Sequence, residues 1–305
     1  MSSSDFGNFH NFCRDSTLPV CNVCKIQFTL LLFPQFSYPK SPGLDESCRL
    51  TGFSIGGDEY VGNLGSILIA AIAILVTLLL IGLAERKLAA VGRREMQLFL
   101  FIYILVQICE IFTIGLFPLN KTVRIAFTGA HLGLILACTW ILLINAIIGY
   151  QLWEDGTLFS MGMSVFSASM LCIGTAYIAL DTGFSWTGYF NSSLTGQNRS
   201  IGLYITYQLL PLIFIVIYFI LTSILVLRIL GELRPMIYLT SAAILFTIGQ
   251  VFNYVVSIHI CEGSSGKLNG AFFETLFTLT SVVMVWVFWS SITEDDWPTP
   301  ENTLP

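Results

Sequence analysis

Seven long apolar stretches limit what this chain can fold into. A helix needs roughly 20 mostly apolar residues to cross the hydrocarbon core of a bilayer, and each stretch reaches that length. Lipid leaves helices or closed barrels as the only structures that satisfy the backbone, and no alternating ten-residue strand pattern occurs. The sequence therefore predicts an all-α membrane protein, a bundle of seven transmembrane helices. The predicted spans are about 61–84, 96–118, 125–150, 158–180, 201–227, 236–260 and 271–290.

The spans divide the chain into three predicted regions. Residues 1–60 form an N-terminal segment that contains cysteines, residues 61–290 form the membrane domain, and residues 291–305 form a short acidic tail. The N-terminus lacks the basic stretch and long apolar core of a cleaved signal peptide. The apolar run at 26–33 is too short to span a bilayer, so we expect it to lie at an interface or on the outer face.

Composition agrees with a membrane protein. The 305 residues are 55% hydrophobic and 11% charged, whereas soluble domains carry about 25% charged residues. The net charge is −5 and no tract rich in Lys or Arg occurs, so the chain offers no basic surface for nucleic acid.

The distribution of basic residues predicts the orientation of the bundle. The first loop between spans, "ERKLAAVGRRE", is the most basic part of the chain and is therefore expected on the cytoplasmic side. That places the N-terminus outside and the C-terminus inside. Arg228 and Arg234, in the fifth connection, fall on the same cytoplasmic side. The basic residues of the first loop are Arg86, Lys87, Arg93 and Arg94.

Three glycosylation sequons agree with this orientation. They begin at Asn120, Asn191 and Asn198, and all three lie in loops predicted on the outer side. Asn120 is close to the predicted membrane surface, which works against its modification.

The eight cysteines divide by location. Five fall on the predicted outer side, where disulfides persist, and three fall inside spans, where a thiol acts as a small apolar side chain. The Cys21–Cys24 spacing has no βαβ context and no second ligand pair, which favours a structural or free-thiol role over a redox or metal motif. The outer cysteines are Cys13, Cys21, Cys24, Cys48 and Cys261, and the others are Cys109, Cys138 and Cys172.

Ionisable and amide side chains occur within the spans and mark a candidate site. Such residues are expensive in a membrane, and these fall in the predicted outer half of the bilayer. An interhelical hydrogen-bond network and a transport or proton-relay path both remain open, whereas no HExxH-like spacing supports a zinc site. The candidate cluster comprises Glu110, His131, Gln250, Asn253 and Glu274, with Gln208 and His259 nearby.

Known catalytic and receptor motifs are missing from the sequence. The last span has no Lys for retinal, and neither "DRY" nor "NPxxY" occurs at the ends of spans three and seven. There is no GxSxG, no phosphate-binding GxxxxGK[ST] and no Gly-rich dinucleotide loop. The sequence therefore predicts no enzyme, no cofactor and no metal.

The loop "WEDGT" between spans three and four is unusual because a predicted cytoplasmic loop carries two acids and no base. Its residue types also fit a tight capped turn, with Trp153 at the interface, Gly156 at positive φ and Asp155 or Thr157 as a helix cap. Glu154 can accept backbone N–H bonds in such a turn. A structural turn and a contact surface for a partner both remain open.

Several segments together resemble the fungal chitin synthase export chaperone family. The resemblance covers nearly the whole chain, in order, with seven spans as in the family. The matching segments are "STLPVCNV" (16–23), "AVGRRE" (90–95), "HLGLILACTWILLINAIIGYQLWEDGT" (131–157), "GQVFNYVVSIHICEG" (249–263) and "LNGAFFETLF" (268–277).

The resemblance implies a non-enzymatic protein of the endoplasmic reticulum membrane that helps a polytopic chitin synthase fold and leave for the cell surface. It leaves open whether the protein then travels with its client to the plasma membrane. It also implies two disulfides among four outer cysteines, with three possible connectivities, and leaves Cys24 as a free thiol. Those four cysteines are Cys13, Cys21, Cys48 and Cys261.

Two interaction sites follow from the resemblance. The "WEDGT" loop or the polar cluster is a candidate contact for the client. Glu294, Asp295 and Asp296 in the tail resemble an acidic export signal read by vesicle coat proteins, although acidic tails are often simply solvated.

A small-solute transporter and a ligand-sensing receptor are the alternative functions. Neither an internal repeat nor a matched pair of broken helices supports transport. A cavity in the outer half lined by Glu110, His131 and Glu274 would favour both alternatives.

Overall fold

The fold was obtained as a computed structural model. It describes residues 6–23, 50, 52–56, 59–87, 90–115, 117, 119–151, 156–190 and 200–293.

Seven helices in the described part of the chain are long and apolar enough to cross a membrane, which confirms the predicted all-α bundle. A short helix, α1 (His10–Asp15), precedes them, and another, α8 (Ser257–Gly263), lies between the sixth and the seventh. The membrane helices are α2 (Leu64–Glu85), α3 (Arg93–Ile114), α4 (Lys121–Ile148), α5 (Leu158–Phe184), α6 (Ile201–Leu230), α7 (Arg234–Tyr254) and α9 (Gly270–Ser291).

The helix bounds differ from the predicted spans most clearly at the sixth helix. It ends at Tyr254 rather than near residue 260, and the chain then forms the separate helix α8. The apolar residues of 255–260 thus do not continue the span, because hydropathy alone does not separate a membrane helix from a short helix folded beside it.

A two-stranded antiparallel hairpin, β1 (Phe53–Gly56) and β2 (Glu59–Val61), directly precedes α2. No alternating pattern in the sequence predicted these strands. The hairpin is followed by Asn63, whose side chain accepts a hydrogen bond from the backbone N–H of Ser66 and so caps the start of α2.

The centre of the bundle is formed by α3 and α4. Helix α4 packs against α3, α5 and α6, while α9 packs against α7 and α2. Helices α6 and α7 follow each other in the chain yet make little contact. The bundle therefore has a seam between α6 and α7 that neighbouring helices do not close.

Helix α6 departs from regular geometry at both ends. Residues Tyr204–Leu209 and Leu225–Leu230 form π-helical turns, in which the backbone is locally widened. Pro211 follows the first of these turns and lacks the N–H that a regular helix would use at that position.

The two ends of the bundle are distinct. The end called here the cysteine end carries α1, the 3₁₀ turn Pro19–Asn22, the hairpin and α8. The opposite end, called the Glu95 end, carries the loop between α2 and α3 and the loop between α4 and α5.

Candidate functional site

A cavity of about 580 Å³ lies between α3, α4, α6, α7 and α9 in the half of the bundle nearer the cysteine end. Its lining includes the side chains of Glu110, His131, Gln250 and Glu274, which belong to four different segments of the chain. The structure thus brings together most of the polar cluster that the sequence predicted within the spans. Whether the two glutamates face lipid or the interior was open from the sequence, and both line this interior cavity.

Glu110 joins α3 to α9. Its side chain is 8% exposed, and the hydroxyl of Thr275 donates to its Oε1 at 2.5 Å. The same hydroxyl lies 2.9 Å from the carbonyl of Ala271 within its own helix. Thr275 directly follows Glu274 in the chain, but its hydroxyl is hydrogen-bonded to Glu110, the other carboxyl group of the cavity.

Glu274 joins α9 to α7. The amide of Gln250 donates to its Oε1 at 3.2 Å, and the amide of Asn253 donates to its Oε2. Gln250 and Asn253 are three residues apart, so they lie on the same face of α7. Asn253 does not line the cavity, although its amide is hydrogen-bonded to Glu274.

His131 lies on α4 and is 2% exposed. Its Nδ1 lies 2.9 Å from the hydroxyl of Thr113 on α3. The histidine is therefore held by a neighbouring helix rather than by either carboxyl group. Among the described residues, no group of three His, Cys, Asp or Glu side chains is arranged to hold a metal ion.

Tyrosine and glutamine side chains complete the polar part of the wall. Tyr254 donates its hydroxyl to Oε1 of Gln208 at 2.7 Å, and Gln208 belongs to the first π-helical turn of α6. Two lining groups are buried without a hydrogen-bond partner in the described part of the protein, namely the hydroxyl of Tyr103 and Oε1 of Gln107. These side chains are 4% and 2% exposed.

The cavity opens toward the membrane between α6 and α7. Leu212 and Val216 on α6 line it and are 52% and 48% exposed, and Thr247 on the facing side of α7 is also both lining and exposed. This opening coincides with the seam where α6 and α7 make little contact. In a bilayer it faces the lipid.

The N-terminal segment covers the cavity at the cysteine end. Pro19 lines the cavity, and the amide of Asn22 donates to the carbonyl of Thr113 at 3.3 Å and to the hydroxyl of Thr128 at 3.2 Å. Thr17 accepts a hydrogen bond from Asn269 at 3.0 Å. The segment "STLPVCNV" therefore binds α3, α4 and the start of α9 together.

Disulfides hold this end of the molecule. Cys13 and Cys21 form a disulfide, and Cys261 belongs to another whose second cysteine lies outside the described residues. Cys109, Cys138 and Cys172 are free thiols within membrane helices.

At the Glu95 end, one carboxyl group holds the end of the "WEDGT" loop. Oε1 of Glu95 accepts hydrogen bonds from the backbone N–H of Gly156 at 3.1 Å and from the hydroxyl of Ser160 at 2.9 Å. Glu95 is fully buried. Gly156 has a φ of +65°, and Thr157 caps α5 by accepting from the N–H of Ser160, so both residues have the turn and cap geometry expected of them.

Glu95 was not a candidate in the sequence analysis, although it ends the matching segment "AVGRRE". The available signal was an acid in the first turn of a membrane helix next to several bases. Such acids usually complement the helix dipole at the surface, so nothing in the sequence indicated burial against a distant loop.

Several predicted site residues lie elsewhere or outside the described structure. Asn120 is exposed directly before α4, and His259 is exposed on α8, away from the cavity. The remaining candidates lie outside the described residues, namely the cysteines Cys24 and Cys48, the sequon residues Asn191 and Asn198, the loop residues Trp153, Glu154 and Asp155, and the tail residues Glu294, Asp295 and Asp296.

Seven membrane-length helices around a cavity that contains polar side chains define an integral membrane protein with an intramembrane cleft. A family profile described as "Chitin synthase export chaperone" matches residues 5–303, and the chain belongs to that family.

Individual relatives support this membership. A chitin synthase export chaperone from Coccidioides immitis is 30% identical over 292 residues, which are 95% of this chain and 83% of the relative. One from Aspergillus fumigatus is also 30% identical, over 95% of this chain and 84% of the relative. One from Neurospora crassa is 27% identical, over 95% of this chain and 77% of the relative. No solved structure matches the chain.

Proposed function

We propose that this protein is a membrane-embedded chaperone that helps a polytopic chitin synthase fold and leave the endoplasmic reticulum. Membership of the family supports the client and the export role. The structural observation that carries the proposal is the cavity open to lipid between α6 and α7, which holds a few polar side chains in a mainly apolar wall.

The cavity suits a chaperone because unassembled membrane helices expose polar groups to lipid. An unpaired polar group in hydrocarbon costs several kcal/mol, so a partner that supplies hydrogen bonds inside the bilayer stabilises the unassembled client. The carboxyl and amide groups of Glu110, Glu274 and Gln250 lie where a client side chain entering through the seam meets them. Such binding needs no catalytic step, and we propose a non-enzymatic role.

The orientation, with the cysteine end in the lumen and the Glu95 end in the cytoplasm, belongs to the same proposal. It is supported by the basic residues of the first loop and by the disulfides at the opposite end. In this orientation the "WEDGT" loop and the acidic tail face the cytoplasm, where the loop is a candidate contact for the client or a structural turn, and the tail is available to vesicle coat proteins.

The export role is tested by the location of a fluorescently tagged chitin synthase in cells with and without this gene. Retention of the enzyme in the endoplasmic reticulum without the gene supports the proposal, and unaltered export, after a second gene copy has been excluded, contradicts it. A third strain with Glu154→Ala and Asp155→Ala separates a contact surface from a structural turn. Retention of the enzyme at normal variant abundance would identify the loop as a contact surface.

A small-solute transporter or a ligand-sensing receptor is the second candidate, because Glu110, His131 and Glu274 do line a cavity in one half of the bundle. Against transport, the described part of the other half contains a cluster of buried apolar side chains, including Leu100, Ile141 and Phe288. Purified protein titrated with amines, sugars and amino acids distinguishes the two functions. A soluble ligand that raises the melting temperature, combined with normal chitin synthase export in the deletion strain, would favour the second candidate.

A further inference from the structure

The ionisable side chains in the lining of the cavity are mainly acidic. It contains the carboxyl groups of Glu110 and Glu274 and the imidazole of His131, and no Lys or Arg among the described residues that line it. Neutral hydroxyl and amide groups are the partners found for both carboxyl groups. A carboxyl group has about four acceptor positions, so each retains capacity for a further donor.

Two polar atoms beside the cavity are buried without a hydrogen-bond partner among the described residues. Oε1 of Gln107 can only accept, and the hydroxyl of Tyr103 can accept as well as donate. Both side chains are more than nine-tenths buried and line the cavity. Buried polar groups are normally paired, so these two side chains retain hydrogen-bonding capacity that the described residues do not use.

The hydrogen-bonding positions that remain free around the cavity are mainly acceptors. Free acceptors suit a cation that carries several N–H donors. Tyr103 and Tyr207 add aromatic rings to the lining, and such rings stabilise a cation placed over their faces. The seam between α6 and α7 opens the cavity to the membrane, so an occupant that enters there arrives from within the bilayer. A cation delivered from that direction is carried by a transmembrane segment.

The depth of the carboxyl groups defines where that cation lies. Glu110 is four residues before the end of α3 and Glu274 is four residues after the start of α9. At 1.5 Å per residue both lie about 6 Å inside the cysteine end of the bundle. A Lys or Arg one or two turns inside a helix end is the kind of intramembrane charge that needs a partner.

We propose that the cavity binds a Lys or Arg side chain carried by a transmembrane helix of the client, near the membrane surface at the cysteine end. The proposal rests on the chaperone function proposed above and names the chemical group that this function recognises. Glu110 and Glu274 bind the cation, and Gln107 and Tyr103 lie beside them in the wall of the cavity.

The test is photo-crosslinking in cells that carry the tagged chitin synthase and the full-length chain. A photo-reactive phenylalanine analogue at position 212, at the mouth of the cavity, is compared with the same analogue at position 79, which is exposed on α2 away from the cavity. We expect a crosslink to the chitin synthase from position 212 and none from position 79.

Charge dependence is measured in the same strain. Glu110→Gln combined with Glu274→Gln should lower the crosslink from position 212 about tenfold, since losing a charged partner in a low-dielectric site weakens binding by at least that factor. Glu262→Gln, an exposed glutamate of α8, is the matched control and should leave the crosslink unchanged. Glutamine keeps an acceptor oxygen for Thr275, so the fold is retained, which the abundance of the variant checks.

A scan of the client keeps the test decisive if the double variant does not accumulate. Each Lys or Arg within the membrane helices of the chitin synthase is changed to Gln in turn, with the wild-type chaperone present. One such change should abolish the crosslink and delay export, while the remaining changes do neither.

The outcomes separate this inference from the function on which it rests. A crosslink that survives the loss of both carboxyl groups, or that survives every client substitution, overturns the cation-binding proposal. A crosslink to lipid or to a small molecule in place of the client also overturns it, provided that export still requires this gene. Export that does not require the gene overturns the proposed function itself.

Discussion

Buried carboxyl groups make the most specific contacts in this protein. Glu95 is fully buried at one end of the bundle and Glu110 nearly so toward the other. Each accepts a hydrogen bond from a hydroxyl group on a different helix, Ser160 for Glu95 and Thr275 for Glu110. Because a buried charge is costly without such partners, these pairs determine which segments lie next to each other.

Replacement of Glu95 tests its role in positioning the "WEDGT" loop. Glu95→Ala leaves the N–H of Gly156 and the hydroxyl of Ser160 without their acceptor, which should lower the free energy of unfolding by about 3 kcal/mol. Glu95→Gln keeps an acceptor oxygen and should lose about half as much or less. Unfolding of the purified protein by sodium dodecyl sulfate measures both, with the exposed Glu232→Gln as control.

Limited proteolysis gives a readout of position rather than stability. The loop at 151–157 should be cut faster in Glu95→Ala than in Glu95→Gln at equal protein concentration. Equal cutting rates in the two variants and the wild type would show that Glu95 does not position the loop.

At the scale of elements, close helix packing depends on small residues. Helix α4 approaches α5 at Gly133, where an added Cβ would lie 2.5 Å from the carbonyl oxygen of Cys172. Membrane helices have no hydrophobic driving force between them, so such close approach supplies much of their association.

Gly133→Ala should therefore separate α4 from α5 and destabilise the bundle. The clash involves backbone, which cannot rotate away, and overpacking of this kind typically costs about 1–3 kcal/mol. Gly174→Ala is the matched control, because a Cβ at Gly174 on α5 meets no atom within 4 Å. Melting temperatures in one detergent compare the two variants, and equal melting temperatures would contradict the packing argument.

The helices of this bundle were predictable from the sequence, whereas the contacts between helices were not. Apolar length alone gave seven spans, because the bilayer sets a minimum for each. The pairing of Glu110 with Thr275 joins residues 165 positions apart, and no local pattern reports it. The polar cluster was predicted as a group since charges in spans are rare, but its interior position required the packing.

The errors of prediction have the same physical origin. Helix α7 ends at Tyr254 and α8 begins at Ser257, although the segment 255–260 is apolar enough to have been predicted as the end of the span. Glu95 was missed because its partners, Gly156 and Ser160, lie more than 60 positions away. The seven spans and the polar residues within them could be predicted from the sequence. Where the helices end and which residues meet depends on packing between distant segments.

At the scale of the whole molecule, the two ends have different chemistry. Disulfides and the packed N-terminal segment occur at the cysteine end, and the Glu95 end carries the basic first loop, whose Lys87 donates to the carbonyl of Ser290 at 3.2 Å. In the proposed orientation the sequons at Asn191 and Asn198 are lumenal.

Glycan removal tests that orientation. Digestion with an endoglycosidase should increase the gel mobility of the wild-type protein, and Asn191→Gln combined with Asn198→Gln should abolish the shift. Asn120→Gln should keep the shift, since Asn120 directly precedes the membrane helix α4. A wild-type protein unaffected by digestion, alongside a glycoprotein control that shifts, contradicts the orientation.

The N-terminal segment and the membrane bundle behave as one unit in this structure. The disulfide Cys13–Cys21 constrains the turn that places Pro19 over the cavity, and Asn22 fastens the turn to α3 and α4. Closing so short a loop stabilises it by about 2–3 kcal/mol. Loss of the disulfide should therefore loosen the cover of the cavity before it affects the helices.

Cysteine labelling measures how far the cover of the cavity depends on the Cys13–Cys21 disulfide, because the same protein carries a thiol in the cavity and a thiol outside it. Cys138 lines the cavity, whereas Cys109 is a buried free thiol that does not line it. In the variant with Cys13→Ser and Cys21→Ser, labelling of Cys138 by a water-soluble maleimide should rise several-fold while labelling of Cys109 stays unchanged, as read by peptide mass spectrometry. Equal rises at both thiols would indicate general unfolding, and no rise would show that the segment covers the cavity without its disulfide. A selective rise at Cys138 means that the N-terminal segment controls access to the cavity from the cysteine end, and that the cavity presents its polar groups through the seam between α6 and α7.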